Sequence, residues 1–249
     1  MRRSAWITGA SSGIGRALAL ELARAGTNVA VSARRGDALD RLAAEAAPGR
    51  IAPYPVDVTD AAAMARTAEA IEAATGPLDL AVFNAGTHEP VAVENFDPVP
   101  FRRLMEINYL GAVNGIAAVL PRFIARRAGQ IAVVSSVAGY RGLPQAAAYG
   151  PTKAALINLC EALKLDLDRH GVSISVINPG FVRTPLTDRN RFPMPFLMEA
   201  EDAARRIVAG LDKGSFEITF PRRFTFMVKL ARMLPYGLYF RLVRRTTGR

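Results

Sequence analysis

Tyr149 and Lys153 stand four residues apart in Tyr149-Gly-Pro-Thr-Lys153, and thirteen residues before the tyrosine lies the second of two adjacent serines, Ser135 and Ser136. On a helix, positions i and i+4 share one face, so the Lys153 ammonium can lie beside the Tyr149 phenol. A cation there favours phenolate over phenol. An unperturbed tyrosine titrates near ~10 and is a poor acid or base at neutral pH, but a neighbouring ammonium and a cationic cofactor ring each lower that value. The phenol then becomes a usable proton donor, and Ser136 can hold the oxygen that it protonates. A Tyr-xxx-Lys pair alone also reads as two solvated side chains, so the weight falls on the elements that bring the three groups together.

An apolar strand, 131–134, delivers the serines, and a loop leads into a helix from Tyr149 to about His170. Upstream, residues 5–8 read as a short buried strand that runs into Gly9-Ala-Ser-Ser-Gly13-Ile-Gly15 and then an Ala- and Leu-rich helix, 16–25. The pattern repeats as strand 28–33, helix 37–46, strand 51–56, helix 61–75 and strand 78–83, followed by a long helical segment, 100–127. After the Tyr149 helix come strand 173–177, the breaker Asn178-Pro179-Gly180, an irregular proline-containing flap over 181–198, helix 200–211 and a last strand, 216–220. Short apolar runs alternating with helical periodicity predict an α/β fold, one parallel sheet of seven strands with helices on both faces.

At 249 residues the chain is expected to be one domain at the large end of the single-domain range. Half of its residues are hydrophobic, yet no uninterrupted apolar run reaches the ~18 residues of a membrane span. Met1-Arg-Arg gives way quickly to the glycine turn, leaving no room for the apolar stretch of a signal peptide. The single cysteine, Cys160, can form no internal disulfide. Both features predict a cytoplasmic protein. The net charge of +10 is uneven: residues 221–249 hold eight Lys or Arg and no acid, leaving the first 220 residues with 24 cations against 22 acids. Basicity confined to a tail argues against nucleic-acid binding, which wants cations across a whole face.

The stretch Thr8-Gly9-Ala10-Ser11-Ser12-Gly13-Ile14-Gly15 sits between a predicted strand and a predicted helix, the setting a dinucleotide fingerprint needs. Glycines there let the backbone turn tightly and approach a pyrophosphate, whose charge is favoured at the helix N-terminus. A turn serving only packing is the alternative. Taken with Asn84-Ala85-Gly86, Asn108, Ser136, Tyr149-xxx-Lys153 and Pro179-Gly180, in order and spacing over residues 4 to about 220, the chain resembles the short-chain dehydrogenase/reductase family.

That resemblance implies a single Rossmann-type doubly wound domain over 1–220 with a C-terminal extension at 221–249. It makes Tyr149 the general acid/base and a cofactor contact, and Lys153 both its pKa modifier and a ligand of the nicotinamide ribose. Ser136, rather than Ser135, matches the substrate-orienting serine, and Asn108 matches the anchor of a proton-relay water, although a helix-interior asparagine can also serve only its own backbone. Cofactor contacts are implied for Gly9, Ser11, Ser12, Gly13, Ile14 and Gly15 in the turn, and for Asn84, Ala85 and Gly86 on the adenosine side. Asp57 and Val58 would lie near the adenine, Asp57 reading equally well as a turn residue, and Pro179, Gly180, Val182 and Thr184 around the carboxamide. No metal site is expected.

An NAD site usually places an acid at the end of the second strand, ~20 residues past the glycines, to accept from the ribose 2′-hydroxyl. Here the chain reads Val31-Ser32-Ala33-Arg34-Arg35. Ser32 repels no phosphate, and Arg34, with Arg35 beside it, can form charge-assisted bonds with one, so NADP(H) is expected over NAD(H). Ser12, where many NADP-using relatives carry a basic residue, pulls the other way.

The expected activity is hydride transfer between nicotinamide and a carbonyl or secondary alcohol. Phe181, Leu186, Phe192, Met194, Phe196, Leu197 and Met198 in the flap point to a hydrophobic, lipid-like small molecule. The resemblance also suggests a homodimer or homotetramer through the long helices. Two other readings are a catalytically silent NADP(H)-binding sensor and a membrane-surface interaction protein on the same scaffold. The complete Asn-Ser-Tyr-Lys set argues against the first, because binding alone requires no acid/base group.

Beyond the shared core, residues 222–245 mix cations with apolar groups. On a helical wheel Arg222, Lys229 and Arg232 gather on one side of a first helix, and Phe224, Met227, Leu230, Ala231 and Leu234 spread over the rest. Pro235 and Gly237 break it, and a second piece sets Arg241, Arg244 and Arg245 apart from Tyr239, Leu242 and Val243. Such a segment can lie on an anionic membrane, here the inner face of the cell membrane, or it can cover the substrate cleft or pack on a second subunit.

Overall fold

Residues 2–189 and 194–247 are described by the computed structural model. Among them seven strands form one sheet: β1 (Ser4–Thr8), β2 (Asn28–Ser32), β3 (Ile51–Pro53), β4 (Leu80–Phe83), β5 (Gln130–Val134), β6 (Ser173–Pro179) and β7 (Glu217–Phe220). Their spatial order is β3-β2-β1-β4-β5-β6-β7, and every neighbouring pair is parallel. The strands read as unbroken apolar runs because both faces are covered; all four residues of β4 are buried. Side chains alternate across β1, which sends Trp6 into one core and Ile7 into the other. Helices α1 (Gly13–Arg24), α2 (Gly36–Ala44) and α7 (Ala200–Asp212) cover the Ile7 face, where Leu18, Leu39 and Ile207 pack. The Trp6 face is covered by α3 (Ala61–Thr75), α5 (Gly111–Ala125) and α6 (Tyr149–Arg169), which bring Ile71, Phe123 and Leu156.

Strand order reverses between β1 and β4, so a crevice opens at the carboxyl ends of those strands, where ligands of doubly wound sheets bind. The loops that carry the glycine turn, Asn84-Ala85-Gly86 and the two serines all leave the sheet at that edge.

The strand expected over 51–56 ends at Pro53, and two further departures from the expected elements have local causes. The helix expected over 100–127 begins as α4 (Pro98–Leu104) and reaches α5 through a widened π-helical turn, Met105–Leu110, in which Asn108 is buried. By length and composition this continuous helix, Pro98–Ala125, is apolar enough to cross a membrane. Its Ala112, Ile116, Val119 and Phe123 pack on the sheet, so the apolarity is that of a core helix.

β6 does not stop at residue 177 but runs through Asn178 and Pro179, which pair with Thr219 and Phe220. Val176 and Gly180 donate their N–H groups to β7, so the donor that proline lacks would have pointed the other way, past the end of β5. The proline therefore removes no bond.

The segment after Gly180 is irregular, as expected, with Val182 bridged to Met198. Arg191, Phe192 and Pro193 of the flap lie outside the described residues. The basic tail forms α8 (Arg222–Arg232) and α9 (Tyr236–Thr247), parted at Pro235. Lys229 is not on a free cationic edge. It turns inward to Glu217, while Phe224 and Val228 pack against the core and Tyr239 is buried.

Candidate active site

The chain leaves β1 through a turn whose Gly9 and Gly13 lie in the left-handed region, at φ +67° and +56°. A Cβ on Gly9 would stand 2.7 Å from Ala85 Cα, and one on Gly13 would stand 2.9 Å from Thr184 Cγ2. The glycine turn, the loop after β4 and the base of the flap are thus in mutual contact. Thr8 fixes this meeting point: its hydroxyl accepts from the N–H groups of Asn84 (3.1 Å) and Ala85 (3.2 Å). Asn84 Nδ2 in turn donates to the carbonyls of Thr8 (3.2 Å) and Gly9 (3.1 Å). Gly15 is buried behind the turn, where a Cβ would lie 2.5 Å from Asn84 Nδ2, so it serves close packing.

These loops bound a cleft of about 1390 Å³. Common small-molecule sites occupy roughly 300–1,000 Å³, so a dinucleotide and a second molecule can share this one. The N-terminus of α1 opens into it through Ser11, Ser12, Gly13 and Ile14, and Ser12 makes no side-chain cap. The first-turn N–H groups are therefore available to an anion. Together with the two left-handed glycines, this cradle fits a dinucleotide pyrophosphate.

At one end of the cleft stand the expected reactive groups. Ser135 is buried and donates its hydroxyl to the Lys153 carbonyl at 2.7 Å, while Ser136 faces the cleft and accepts from Ala138 N at 3.1 Å. Lys153 is buried, donates to the Val134 carbonyl at 2.9 Å and lies 5.6 Å from the Tyr149 ring centroid. Burial lowers its pKa to about 8. Burial pushes the Tyr149 phenol up to about 12, opposed in part by a hydrogen bond with Ser136. Within the chain itself burial outweighs what lowers the phenol, and the Lys153 ammonium is directed at a strand carbonyl.

Asn108 completes the wall from behind. Its Oδ1 accepts from Thr87 N (2.7 Å), and its Nδ2 donates to the Thr87 carbonyl (2.9 Å) and to Thr152 Oγ1 (3.1 Å). The amide is fully engaged in holding the loop after Gly86, and it does not line the cleft. Gly86 fits between it and the lysine, since a Cβ there would lie 3.3 Å from Asn108 Oδ1 and 3.5 Å from Lys153 Nζ.

At the other end, Arg34 and Arg35 are exposed and line the cleft. Ser32, expected beside them, does not. It is fully buried and accepts from Trp6 Nε1 at 2.9 Å, because strand alternation turns it to the Trp6 face of the sheet. Asp57 lines the cleft as a turn residue, accepting from Thr59 N (3.0 Å) and Thr59 Oγ1 (2.9 Å). These bonds and nearby Arg34 hold its carboxyl below the usual range against a partial desolvation. Val58 is buried against Gly111, and Pro179, Gly180, Val182 and Thr184 line the same cleft as Tyr149 and Lys153.

Several lining residues were not foreseen. Arg103, Glu106 and Ile107, from α4 and the π turn, line the cleft, but in sequence they look like an ordinary helix face. Thr87 lines it too, directly after the glycine of Asn84-Ala85-Gly86, and only that adjacency marks it. The His88 ring meets Tyr149 edge to face at 4.8 Å, and burial lowers its pKa.

A polar cluster joins the tail to this site. Glu217 of β7 accepts from Tyr140, from Asn178 Nδ2 (3.0 Å) and from Lys229 of α8. Burial raises the Glu217 carboxyl, but its bonds to Lys229, Tyr140 and Asn178 outweigh that and leave it below the ordinary value. Arg141, next to Tyr140, donates to the carbonyls of Ala231 (2.9 Å), Arg232 (2.9 Å) and Leu234 (2.7 Å) at the end of α8, satisfying groups the helix leaves open. Its guanidinium lies over the Tyr239 ring at 3.9 Å, and Tyr239 donates to the Gly142 carbonyl at 2.6 Å. The loop from Ser136 to Tyr149 is thereby bound to the tail, although no described residue of α8 or α9 lines the cleft itself.

Known proteins share this fold. The family described as short chain dehydrogenase matches residues 3–193. An uncharacterized oxidoreductase of Myxococcus xanthus is 41% identical over 245 residues, covering 98% of this chain and 97% of that protein. A fatty acyl-CoA reductase of Acinetobacter baylyi is 35% identical over 214 residues, 84% of this chain and 72% of that one. Among solved structures, a short-chain dehydrogenase from Streptomyces avermitilis superposes with a TM-score of 0.85 at 27% identity, covering 94% of this chain and 93% of its own. ElxO with NADP bound superposes with a TM-score of 0.78 at 25% identity, covering 88% and 98%.

Proposed function

This chain belongs to the short-chain dehydrogenase/reductase family and is an oxidoreductase of CH–OH and C=O groups, and from that premise we propose that it is an NADP(H)-dependent reductase or dehydrogenase of a hydrophobic, lipid-like carbonyl or alcohol. The observation that carries the reading is the convergence of Ser136, Tyr149 and Lys153 with the glycine turn in one cleft at the reversal of strand order.

Bound nicotinamide would supply or take the hydride. The chain's own residues handle the oxygen and the proton. Ser136 and Tyr149 hold the substrate oxygen between their hydroxyls. Tyr149, kept protonated by burial, donates its proton to that oxygen in reduction and removes it in oxidation. Lys153 is mostly cationic at neutral pH with its value near 8; it binds the ribose hydroxyls and keeps the Tyr149 side of the cleft positive. Asn108 acts through Thr87, holding the wall beside Lys153, so the relay water assigned to it by resemblance would bond the widened backbone of the π turn rather than the amide.

Preference for NADP(H) is assigned to Arg34, with Arg35 beside it, since both are exposed at the cleft end where a 2′-phosphate would lie and Ser32 is turned away. An arginine fork bonds such a phosphate with charge assistance. Arg34→Asp is expected to lower the ratio of kcat/KM for NADPH over that for NADH by about 100-fold, equivalent to about 2.7 kcal/mol. An unchanged ratio in steady-state assays with both cofactors would remove Arg34 as the reader.

A lipid-like substrate is supported by Leu186, the one of the expected flap residues that lines the cleft among the described residues, and by the likeness to a fatty acyl-CoA reductase of Acinetobacter baylyi; Phe181 and Phe196 pack on Phe224 and Met198 on the core instead. Aldehydes and ketones of rising chain length, assayed by NADPH oxidation, test both points. Turnover should appear, with kcat/KM climbing along the series. Turnover that favours the shortest carbonyls would defeat the substrate assignment, and none across the panel would defeat the enzymatic one.

A further inference from the structure

We propose that the outer face of α8 and α9 docks on an anionic lipid bilayer. Phe226, Met227, Leu230, Met233, Tyr236 and Phe240 are all exposed on these two helices and the turn between them, Met233 by 81%. The face is held in place from behind. Phe224 and Val228 are packed in the core, Lys229 is bonded to Glu217, Arg141 grips the last carbonyls of α8, and Tyr239 is tied to Gly142. Because its inner side is anchored, the helix pair cannot simply roll over to hide the outer one.

Charge identifies the occupant. Arg222, Arg223, Arg232, Arg241, Arg244 and Arg245 form no ion pair among the described residues, and residues 221–249 contain no acid. A second copy of the chain would set two such cationic faces against each other. A nucleic acid would neutralise the arginines but leave six large apolar side chains in water. An anionic bilayer satisfies both: the arginines meet its headgroups while the aliphatic and aromatic groups enter the acyl boundary.

Docking brings the flap to the same surface. Phe196, 49% exposed, has its ring 6.2 Å from that of Phe224. Phe224 also packs against Phe181 and fills the space beside Gly180, which lines the cleft. Docking does not depend on turnover, so vesicle binding and NADPH oxidation report on it and on the enzymatic reading separately.

The test is flotation of the full chain with phosphatidylcholine vesicles, neutral or containing about 30 mol% phosphatidylglycerol. Two variants are compared, Met227→Ser/Leu230→Ser/Phe240→Ser and Arg241→Glu/Arg244→Glu/Arg245→Glu, with thermal unfolding run on each. Wild type is expected to float with the anionic vesicles and not the neutral ones, and raising salt to about 0.5 M should release most of it. Each variant should partition at least about tenfold less at an unchanged unfolding temperature. Equal partition of wild type onto both vesicles, no flotation at all, or full flotation of either variant overturns the proposal. If a variant unfolds early, the wild-type vesicle and salt comparison decides alone.

Discussion

Tyr149→Phe should abolish most carbonyl reduction, lowering kcat/KM by about 10²–10⁴-fold, or roughly 3–5 kcal/mol of transition-state stabilisation. The substitution removes one oxygen. The ring remains, with its edge-to-face contact with His88, and Lys153 keeps its bond to Val134. The cofactor cradle lies in other loops, so the dissociation constant of NADPH should change less than about threefold, well under 1 kcal/mol. Burial holds the phenol near 12, which makes it a reservoir of one proton at neutral pH and leaves Ser136 able to bind an oxygen but not to protonate it. Fluorescence titration of NADPH and steady-state turnover separate the two effects. A variant retaining more than about a tenth of wild-type turnover would show that the proton comes from elsewhere.

Lys153→Met should cost nearly as much and should fail differently. The lysine is the cation of the reactive end, buried and directed at a strand carbonyl, so its loss removes charge from the ribose site and leaves Val134 without that donor. NADPH affinity should fall about 10–100-fold, with turnover falling further. The same group sets a pH limit. Its pKa is lowered to about 8 by burial, so it is cationic below that pH and neutral above it. If the cation is needed, kcat/KM for NADPH in wild type is level below pH 8 and declines above it with a slope of about −1, because that parameter reports the free enzyme. A level profile through pH 10, with Lys153→Met binding NADPH normally, would remove Lys153 from cofactor binding.

The sheet was readable in the sequence because each of its strands is an apolar run closed by a turn residue, and each crossover carries a helical period. The convergence of Gly9, Gly13, Ser136, Tyr149 and Lys153 on one cleft was readable for a related reason: they sit at or near element ends, where chain order and spatial order nearly coincide. What escaped depends on direction or on distance along the chain. Ser32 lies at the expected strand end, yet alternation alone decides that it meets Trp6 and not the cleft. The π turn at Asn108 changes hydrogen-bond spacing without altering the apolar period that marks a helix. Lys229 joined the cationic side of a helical wheel because its partner, Glu217, belongs to another element, and a wheel contains only its own helix.

Arg141 ties the loop after β5 to the C-terminal helices. It holds three carbonyls at the end of α8 and lies between the rings of Tyr236 and Tyr239, yet it belongs to the loop that carries Ser136 toward Tyr149. That loop cannot swing outward unless the helix end lets go. The segment that joins Ser136 to Tyr149 is therefore fastened to the C-terminal helices, and its freedom to move is bounded by theirs.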